Sequence, residues 1–452
     1  MKVLLIKPET VGIFAMTGQV DHEPLELEYL YTVIKELGHE AVIYDRRHEY
    51  TSLKKKLCSV KPDVVCMTGY ITQEPLMKRL TRKIKKLCPG CIVLLGGSHV
   101  EVNYVNFYDS DADYLYHVSG LRNFSSLMQY LSGANKDISL QDIKGICYRD
   151  KGEWMCNPKE TESPQDLPIP NREFFYVNQK RYGYLCFRPL ALVKNSYSCP
   201  YACNFCYCTN RNGGKYRCRS AEHLVEEIAA LDVPNIHITD DNFLVSREYL
   251  QDFIRLIKEK NIHKKFLIYG RADFIAENED LIRALAEVGL ALVMVGLEAT
   301  NDDELDSYDK HTTLRQNEEC VRILSENHII CAGLFIVHQD MDRKDFKALY
   351  RWIGSRPTIP TISVLTPMQG AANYKEYEDK LITKDIRKQD LFHCILPAKH
   401  MSVFAFTMEY YKLSLKLAFK NRNAELYSNL GIRDFFFVCK VLCIKIKRLF
   451  AF

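Results

Sequence analysis

Short aliphatic runs alternate with amphipathic, helix-like stretches along most of the chain, and this alternation restricts the fold more than any other feature of the sequence. Strands that are buried on both faces and separated by helices form parallel sheets. The sequence therefore predicts an α/β protein. The first group of predicted strands covers residues 3–6, 41–44, 63–67, 92–95 and 113–116.

A second group of strands follows in the middle of the chain. These predicted strands cover residues 192–194, 235–239, 265–269, 291–296, 331–337 and 361–365. Several are separated by helix-like stretches, such as residues 221–231 and 281–288. In parallel α/β architectures, ligands bind beyond the carboxyl ends of the strands. We therefore expect the functional residues of both groups in the loops that follow the strands.

Composition excludes several classes of protein. With 452 residues, the chain is long enough for two to three domains, and its 47% hydrophobic and 26% charged residues are ordinary for a globular protein. The net charge of +4 is too small to indicate a nucleic-acid partner. Residues 1–7 predict a strand rather than a signal peptide, and no run of 18 apolar residues predicts a membrane-spanning helix.

Of the 17 cysteines, four lie within ten residues, at Cys199, Cys203, Cys206 and Cys208. The first three have the spacing CxxxCxxC, so three thiolates of one loop can bind one centre. Thiolates suit zinc or iron–sulfur clusters, and three ligands leave one iron of a cubane cluster open to a substrate or cofactor. The spacing favours such a cluster, while structural zinc with Cys208 as fourth ligand is the alternative. We expect the other fourteen cysteines to be unpaired thiols in a reducing compartment.

The CxxxCxxC motif, with the aromatic Phe205 before its last cysteine, resembles the signature of radical S-adenosylmethionine (SAM) enzymes. The six strands that accompany it resemble the partial (β/α)6 TIM-like barrel of that superfamily. The resemblance implies that Cys199, Cys203 and Cys206 hold a [4Fe-4S] cluster, which reductively cleaves SAM to a 5′-deoxyadenosyl radical.

Several strand ends also resemble SAM-binding segments of that superfamily. They are Thr239-Asp240-Asp241-Asn242, Gly270-Arg271-Ala272-Asp273, Gly296-Leu297-Glu298-Ala299 and Ala332-Gly333-Leu334-Phe335. The resemblance implies a set of SAM-binding residues, namely Phe205, Asp240, Asp241, Arg271, Glu298 and Leu334. Salt bridges or helix caps are the structural alternative for the charged members.

The N-terminal strands resemble the Rossmann-like, doubly wound cobalamin (B12)-binding domain that precedes the barrel in B12-dependent radical SAM proteins. The resemblance rests on residues 3–6, 38–45, 62–65 and 94–99, and residues 393–402 resemble a segment of the subgroup that contains the anaerobic Mg-protoporphyrin ester cyclase and the hopanoid methylases. It implies cobalamin contacts from Thr68, Gly69, Gly96, Gly97 and His99. The DxHxxG motif is absent, so we expect no histidine ligand to cobalt.

Four regions follow from these patterns. We predict a cobalamin-binding-like Rossmann domain at residues 1–140 and a hairpin and linker at 141–184, where proline is frequent between residues 158 and 170. A radical SAM barrel follows at residues 185–385, and a helical C-terminal region at 386–452.

The resemblance implies a radical SAM enzyme with cobalamin-dependent C-methylation of an unactivated carbon. Three alternatives remain. The first is radical oxidation, cyclisation or rearrangement without methyl transfer. The second is a methylthiotransferase, which needs a second cluster that Cys58, Cys66, Cys88 and Cys91 do not convincingly form. The third is a non-enzymatic metal- or cobalamin-binding protein. The sequence indicates no catalytic residue beyond the cluster and the cofactors.

The expected partners are a small-molecule or lipid-like substrate and an electron donor such as flavodoxin or ferredoxin. We expect a cytoplasmic protein without a nucleic-acid partner. Residues 435–452 combine apolar residues with Lys440, Lys445, Lys447 and Arg448, and a basic amphipathic helix of this type can lie on an anionic membrane surface. The alternative is a helix that packs on the barrel.

Overall fold

The computed structural model describes residues 1–9 and 20–420. The predicted membrane-binding segment, residues 435–452, lies outside the described residues. In chain order the described strands are β1 (Lys2–Lys7), β2 (Val20–Asp21), β3 (Glu40–Asp45), β4 (Val64–Thr68), β5 (Ile92–Gly96), β6 (Tyr114–Tyr116), β7 (Ile146–Asp150), β8 (Glu153–Cys156), β9 (Gly183–Tyr184), β10 (Leu190–Val193), β11 (Ser196–Tyr197), β12 (Arg217–Cys218), β13 (Asn235–Ile238), β14 (Lys265–Arg271), β15 (Leu290–Glu298), β16 (Ile330–Val337) and β17 (Thr358–Val364).

The helices lie mostly between these strands. They are α1 (Leu25–Glu36), α2 (Leu53–Val60), α3 (Glu74–Leu87), α4 (Ser98–Asn103), α5 (Arg122–Ser132), α6 (Glu173–Asn178), α7 (Ala221–Ala230), α8 (Arg247–Glu259), α9 (Ala272–Glu277), α10 (Glu279–Glu287), α11 (Asp302–Ser307), α12 (Leu314–Glu326), α13 (Arg343–Gly354), α14 (Tyr374–Tyr377) and α15 (Val403–Lys420). No helix among the described residues is long and apolar enough to cross a membrane.

The N-terminal sheet has the strand order β3-β1-β4-β5-β6-β7-β8, and its first five members in space are parallel. Alternate residues of β1 enter different cores: Leu4 and Ile6 pack on one face, and Val3 and Leu5 pack on the other. This two-sided burial explains why the strands are continuous aliphatic runs. All five predicted strands are present, with bounds within one residue of the prediction.

A hairpin of β7 and β8 lies within the predicted hairpin and linker region, residues 141–184, and it extends the N-terminal sheet. Strand β7 pairs antiparallel with β6, and β8 pairs with β7 across a turn in which Lys151 and Gly152 both have positive φ. Such a two-residue turn matches the twist of a hairpin. The prediction that cysteines outside the cluster are unpaired was wrong here, because register partners Cys147 and Cys156 form a disulfide.

The six strands predicted for the barrel are also present, as a parallel sheet in the order β10-β13-β14-β15-β16-β17. Its outer face packs against the helices, and its inner face carries apolar residues such as Leu267, Leu292 and Met294. The sheet order does not pair β10 with β17, so this is the open, partial barrel that the sequence predicts. Helix α15 lies within the predicted helical C-terminal region, residues 386–452.

A buried ion cluster joins the two sheets. Arg172 bridges Glu23 and Glu28, beside the N-terminal sheet, to Glu227 on α7, at distances of 2.9, 3.2 and 2.8 Å. All four side chains are almost completely buried, so each charge is stabilised by its ion partners rather than by water. The cluster therefore fixes how the N-terminal sheet sits on the barrel.

Candidate active site

The carboxyl ends of the two sheets face each other. Asn103 at the end of α4 and Asn106 just after it donate hydrogen bonds to Gln369, which lies in the loop after β17. The distances are 3.2 Å to the main-chain oxygen and 2.7 Å to the side-chain oxygen. Because ligands of parallel sheets bind at these ends, one enclosed region serves the loops of both sheets.

Glu101 on α4 provides a second connection between the sheets. Its carboxylate accepts a hydrogen bond of 2.7 Å from the main-chain amide of Asn212 and lies 3.4 Å from Nε of Arg211. The same Arg211 lies 3.7 Å from Asp241, at the end of β13. A line of charged groups therefore runs from the N-terminal sheet to the second strand of the barrel.

The cysteine loop lies between β11 and a 3₁₀ helix at Cys208–Gly214. Ser198, the residue before the loop, has φ of +64° and turns the chain away from β11. Asn204 holds the tip of the loop: its amide donates to the oxygen of Tyr308, and its own oxygen accepts from the amide of Asn373. These bonds hold the loop against segments that follow β15 and β17.

The three predicted ligands, Cys199, Cys203 and Cys206, are free thiols in this loop. Among the described residues, only His117, Cys147 and Cys156 have donor atoms that all lie within 4.8 Å of one another, so the three loop sulfurs are spread more widely. The loop therefore offers three thiols, none of them in a disulfide, to a metal centre.

Burial also affects the thiols of the loop. It raises the pKa of Cys199 to about 11, and it raises the pKa of Cys203 against the opposing effect of Lys310 and Arg271. Both groups are therefore neutral at pH 7 in the protein alone. Binding of a metal centre would deprotonate them, since thiolates are the ligating form.

Two cations lie beside Cys203. Arg271 stacks on the ring of Tyr201 at 4.0 Å, and its Nη1 lies 3.8 Å from the Cys203 sulfur. Lys310 donates a hydrogen bond of 2.6 Å to Glu298. Glu298 has φ of +57° at a register shift in the pairing of β15 with β16, so an irregular strand end turns it toward Lys310.

The two predicted aspartates differ in their surroundings. Asp240 is buried and accepts hydrogen bonds from the amides of Asn195 and Ser196 at 2.9 and 2.8 Å. It therefore fastens the segment before the cysteine loop to β13. In Asp241, Oδ2 accepts no hydrogen bond from the described residues. Asp241 thus keeps an acceptor for a ligand.

Phe205 and Leu334, the apolar members of the predicted SAM set, lie near the same strand ends. Phe205 meets the ring of Tyr308 edge to face, with centroids 5.4 Å apart. Leu334 is partly exposed on β16, where its register partners are Gly296 and Thr361. Both side chains offer apolar surface beside the charged groups.

The residues predicted to contact cobalamin lie at the ends of β4 and β5. Thr68 and Gly96 are paired as the last residues of these strands. Gly97 has φ of +95°, and a Cβ at this position would collide with the hydroxyl of Thr68. Glycine at this position lets the ends of β4 and β5 approach closely, and at Gly69 it leaves room for the side chain of Met77.

The fifth predicted cobalamin contact, His99, is held within its own sheet. Its Nε2 donates a hydrogen bond of 2.7 Å to Glu74, and its Nδ1 accepts one of 3.3 Å from Asn103. Both ring nitrogens are therefore occupied. The absence of a histidine ligand to cobalt stays a prediction.

Sequence reasoning missed several residues of this region. Lys310 lies in a loop after α11 without any motif, and only the fold brings it to Glu298. His22 and His237 were also missed: their rings are 5.0 Å apart, and the register of β13 directs His237 into the barrel. Neither nitrogen of His237 has a hydrogen-bond partner among the described residues. An isolated histidine in a strand gives no sequence signal of this kind.

Comparison with known families explains this arrangement. The model of the radical SAM superfamily matches residues 196–353, and that of the B12 binding domain matches residues 12–120. The chain is a B12-binding radical SAM protein. The predicted family and fold class are thereby confirmed. The family uses a [4Fe-4S] cluster, SAM and cobalamin.

Two curated relatives of this B12-binding radical SAM protein belong to the predicted subgroup. The hopanoid C-3 methylase of Methylococcus capsulatus is 25% identical over 404 residues, which cover 88% of this chain and 77% of that protein. The anaerobic magnesium-protoporphyrin IX monomethyl ester cyclase of Synechocystis is 22% identical over 417 residues, which cover 89% and 82%.

A solved structure shares the fold of this B12-binding radical SAM protein. It is the cobalamin-dependent S-adenosylmethionine radical enzyme OxsB with aqua-cobalamin bound, which matches with a TM-score of 0.66 at 18% identity. The match covers 92% of this chain but only 61% of OxsB, so this chain spans less than two thirds of that enzyme.

Proposed function

We propose that this protein is a cobalamin-dependent radical SAM methyltransferase that acts on an unactivated carbon of a small-molecule or lipid-like substrate. The observation that carries the proposal is the meeting of the two sheets at their carboxyl ends, through Asn106 and Gln369 and through Glu101 and Asn212. This contact brings the predicted cobalamin residues and the cysteine loop to one region. A substrate in that region would have access to both cofactors.

In this proposal Cys199, Cys203 and Cys206 hold the cluster, and its fourth iron is left for SAM. Their shared loop and their CxxxCxxC spacing support this assignment. When bound, the cluster and SAM supply a carbon-centred radical, and cobalamin supplies the methyl group. The protein itself binds, orients and shields these groups.

The proposed SAM site uses charge and apolar surface together. Asp241, whose Oδ2 accepts no hydrogen bond from the described residues and lies 3.7 Å from Nη1 of Arg211, suits the amino group of SAM, and Glu298 is held by Lys310. Phe205 and Leu334 supply apolar contact. Asp240 acts by positioning, since its carboxylate fastens the segment before the cysteine loop, and Arg271 places a positive charge beside Cys203.

The proposed cobalamin site lies over the ends of β4 and β5. Thr68, Gly69, Gly96 and Gly97 form a surface that a bulky corrin ring can approach closely. His99 contributes by fixing Glu74 and Asn103 rather than by binding cobalt.

The test is metal and product analysis of the anaerobically reconstituted full-length protein. The proposal predicts about four irons with labile sulfide and one cobalt per chain. Zinc without iron would contradict it, and so would two clusters without cobalt, the composition of a methylthiotransferase. Once a substrate is identified, the enzyme can be supplied with SAM that carries a deuterated methyl group. A deuterated methyl group in the product indicates methylation, and its absence indicates a reaction such as cyclisation, for which the Synechocystis relative is named.

We further propose a cytoplasmic protein that receives electrons from a flavodoxin or ferredoxin and whose segment 435–452 contacts a membrane peripherally. The basic residues Lys440, Lys445, Lys447 and Arg448 support the membrane contact. Replacing all four by glutamate in the full chain should weaken binding to anionic vesicles. Unchanged binding would contradict this role.

A further inference from the structure

Helix α15 carries apolar residues on two of its faces. The inner face is buried in the barrel core through Phe406, Tyr410, Leu413 and Leu417, and the hydroxyl of Tyr410 donates to the main-chain oxygen of Ile362. This face accounts for the docking of α15 on the barrel. It does not account for the apolar residues on the opposite side.

The outer face exposes four large apolar side chains. Phe404, Met408, Tyr411 and Leu415 are 76, 50, 42 and 60% exposed. Their spacing of three or four residues places them along one side of the helix. Large apolar side chains on a helix are normally buried against another surface. We therefore expect a partner to cover this face.

Lysines border this stripe. Lys412 and Lys416 lie on α15 beside Leu415, and Lys416 and Lys420 approach the ring of Tyr350 at 5.5 Å each. The one acid of the helix, Glu409, lies within 3.5 Å of both Arg343 and Lys412 and is neutralised by them. The outer face is therefore apolar in its centre and positive at its border.

The charge decides between two occupants. One is the segment 421–452, which follows α15 in the chain and contains six Lys and Arg against two Asp and Glu. A segment of this charge would repel the lysines of α15. An anionic lipid surface attracts both, and it also takes up exposed aromatic and aliphatic side chains.

We propose that the outer face of α15 is a docking surface for an anionic lipid bilayer. Phe404, Met408, Tyr411 and Leu415 enter the interfacial region, while Lys412 and Lys416 lie at the level of the lipid phosphates. The inference is independent of the proposed chemistry. It also differs from the proposed contact of residues 435–452, because it rests on a helix that is packed on the barrel.

The experiment is co-sedimentation of the full-length protein with vesicles of phosphatidylglycerol and phosphatidylcholine, compared with vesicles of phosphatidylcholine alone. The double variant Phe404→Ser, Leu415→Ser should bind the anionic vesicles at least tenfold more weakly. The variant Lys412→Gln, Lys416→Gln should lose binding by about fivefold per lysine near the surface. The matched control Val177→Ser removes another highly exposed apolar side chain, 84% exposed on α6, and should bind like the parent.

Equal binding of the parent and the Phe404→Ser, Leu415→Ser variant would overturn the proposal. So would equal binding of the parent to anionic and neutral vesicles. If the serine variant instead abolishes a concentration-dependent dimer in sedimentation velocity and leaves vesicle binding unchanged, a second copy covers the helix and the proposal is wrong. Because the substituted side chains are exposed, unchanged melting temperatures should show that the variants are folded.

Discussion

The side-chain amide of Asn106 donates a hydrogen bond of 2.7 Å to Oε1 of Gln369, across the junction of the N-terminal sheet and the barrel. Asn106 follows the helix that starts after β5, and Gln369 lies in the loop after β17. The contact therefore joins the two strand ends at which the proposed cofactors meet.

This bond should couple the two residues energetically. Asn106→Ala and Gln369→Ala each remove it, so the loss of unfolding free energy in the double variant should be smaller than the sum of the single losses by about 0.5–1.5 kcal/mol. Urea unfolding of the three variants measures this coupling. Asn106→Ala combined with Asn278→Ala, on the far side of the barrel, is the control and should be additive; additivity for Gln369 as well would refute the contact.

The cluster assignment predicts a clear division among the four clustered cysteines. Alanine at Cys199, Cys203 or Cys206 should abolish the four-iron cluster and SAM cleavage, because each of these thiolates is a proposed ligand. Cys208→Ala should retain both, and the exposed Cys218→Ala is a further control. Iron and labile sulfide per chain after anaerobic reconstitution are the measurements. A normal cluster in Cys203→Ala would show that the ligand set is wrong.

The buried pair of Lys310 and Glu298 should be costly to break. Lys310→Met leaves the carboxylate of Glu298 buried without its partner, and we expect a loss of about 3 kcal/mol of unfolding free energy, together with weaker SAM binding. The exposed pair of Arg247 and Asp280 is the matched control: Arg247→Met should cost much less unfolding free energy than Lys310→Met, because solvent screens an exposed pair. Chemical denaturation and equilibrium SAM titration test both effects. Equal costs for the two variants would contradict this interpretation of Lys310.

Burial of two histidines predicts a dependence of stability on pH. Burial lowers the pKa of His22 to about 4, and it holds the pKa of His237 well below the usual value of a histidine. In the unfolded chain these two histidines take up protons near pH 6.5, whereas in the folded protein they stay neutral to a lower pH. The free energy of unfolding therefore falls as the pH drops from about 6.5 toward 4.

Replacing His237 by phenylalanine removes one of these groups. Between pH 7.5 and 4.5, His237→Phe should lose less unfolding free energy than the parent, by about 1–3 kcal/mol. His263→Phe, at an exposed position, should follow the parent. Denaturant midpoints at the two pH values provide the measurement, and parallel losses in all three proteins would exclude His237 as a source of the pH dependence.

The sequence predicts the strands of both sheets well, because strands buried on both faces must be aliphatic throughout. It also brings Cys199, Cys203 and Cys206 together, since eight residues of loop contain all three. Both kinds of prediction depend on residues that are close in the chain. The same holds for the hairpin at Lys151 and Gly152, where a local turn preference decides the structure.

Contacts between residues that are distant in the chain could not be predicted in this way. The pair of Lys310 and Glu298 depends on an irregular end of β15. The nearness of His22 and His237 requires the packing of a short segment into the barrel. None of these contacts follows from propensity or spacing, so they were found only in the structure.

The most direct test of the central claim, that cobalamin and SAM serve one site, needs no substrate. The reconstituted protein, with one cobalamin bound, is incubated anaerobically with reductant and SAM labelled in its methyl group. The account predicts that the label is recovered on the protein-bound corrinoid. If all label remains in SAM and methionine while one cobalt per chain is present, cobalamin is not a methyl carrier in this protein and the account is wrong.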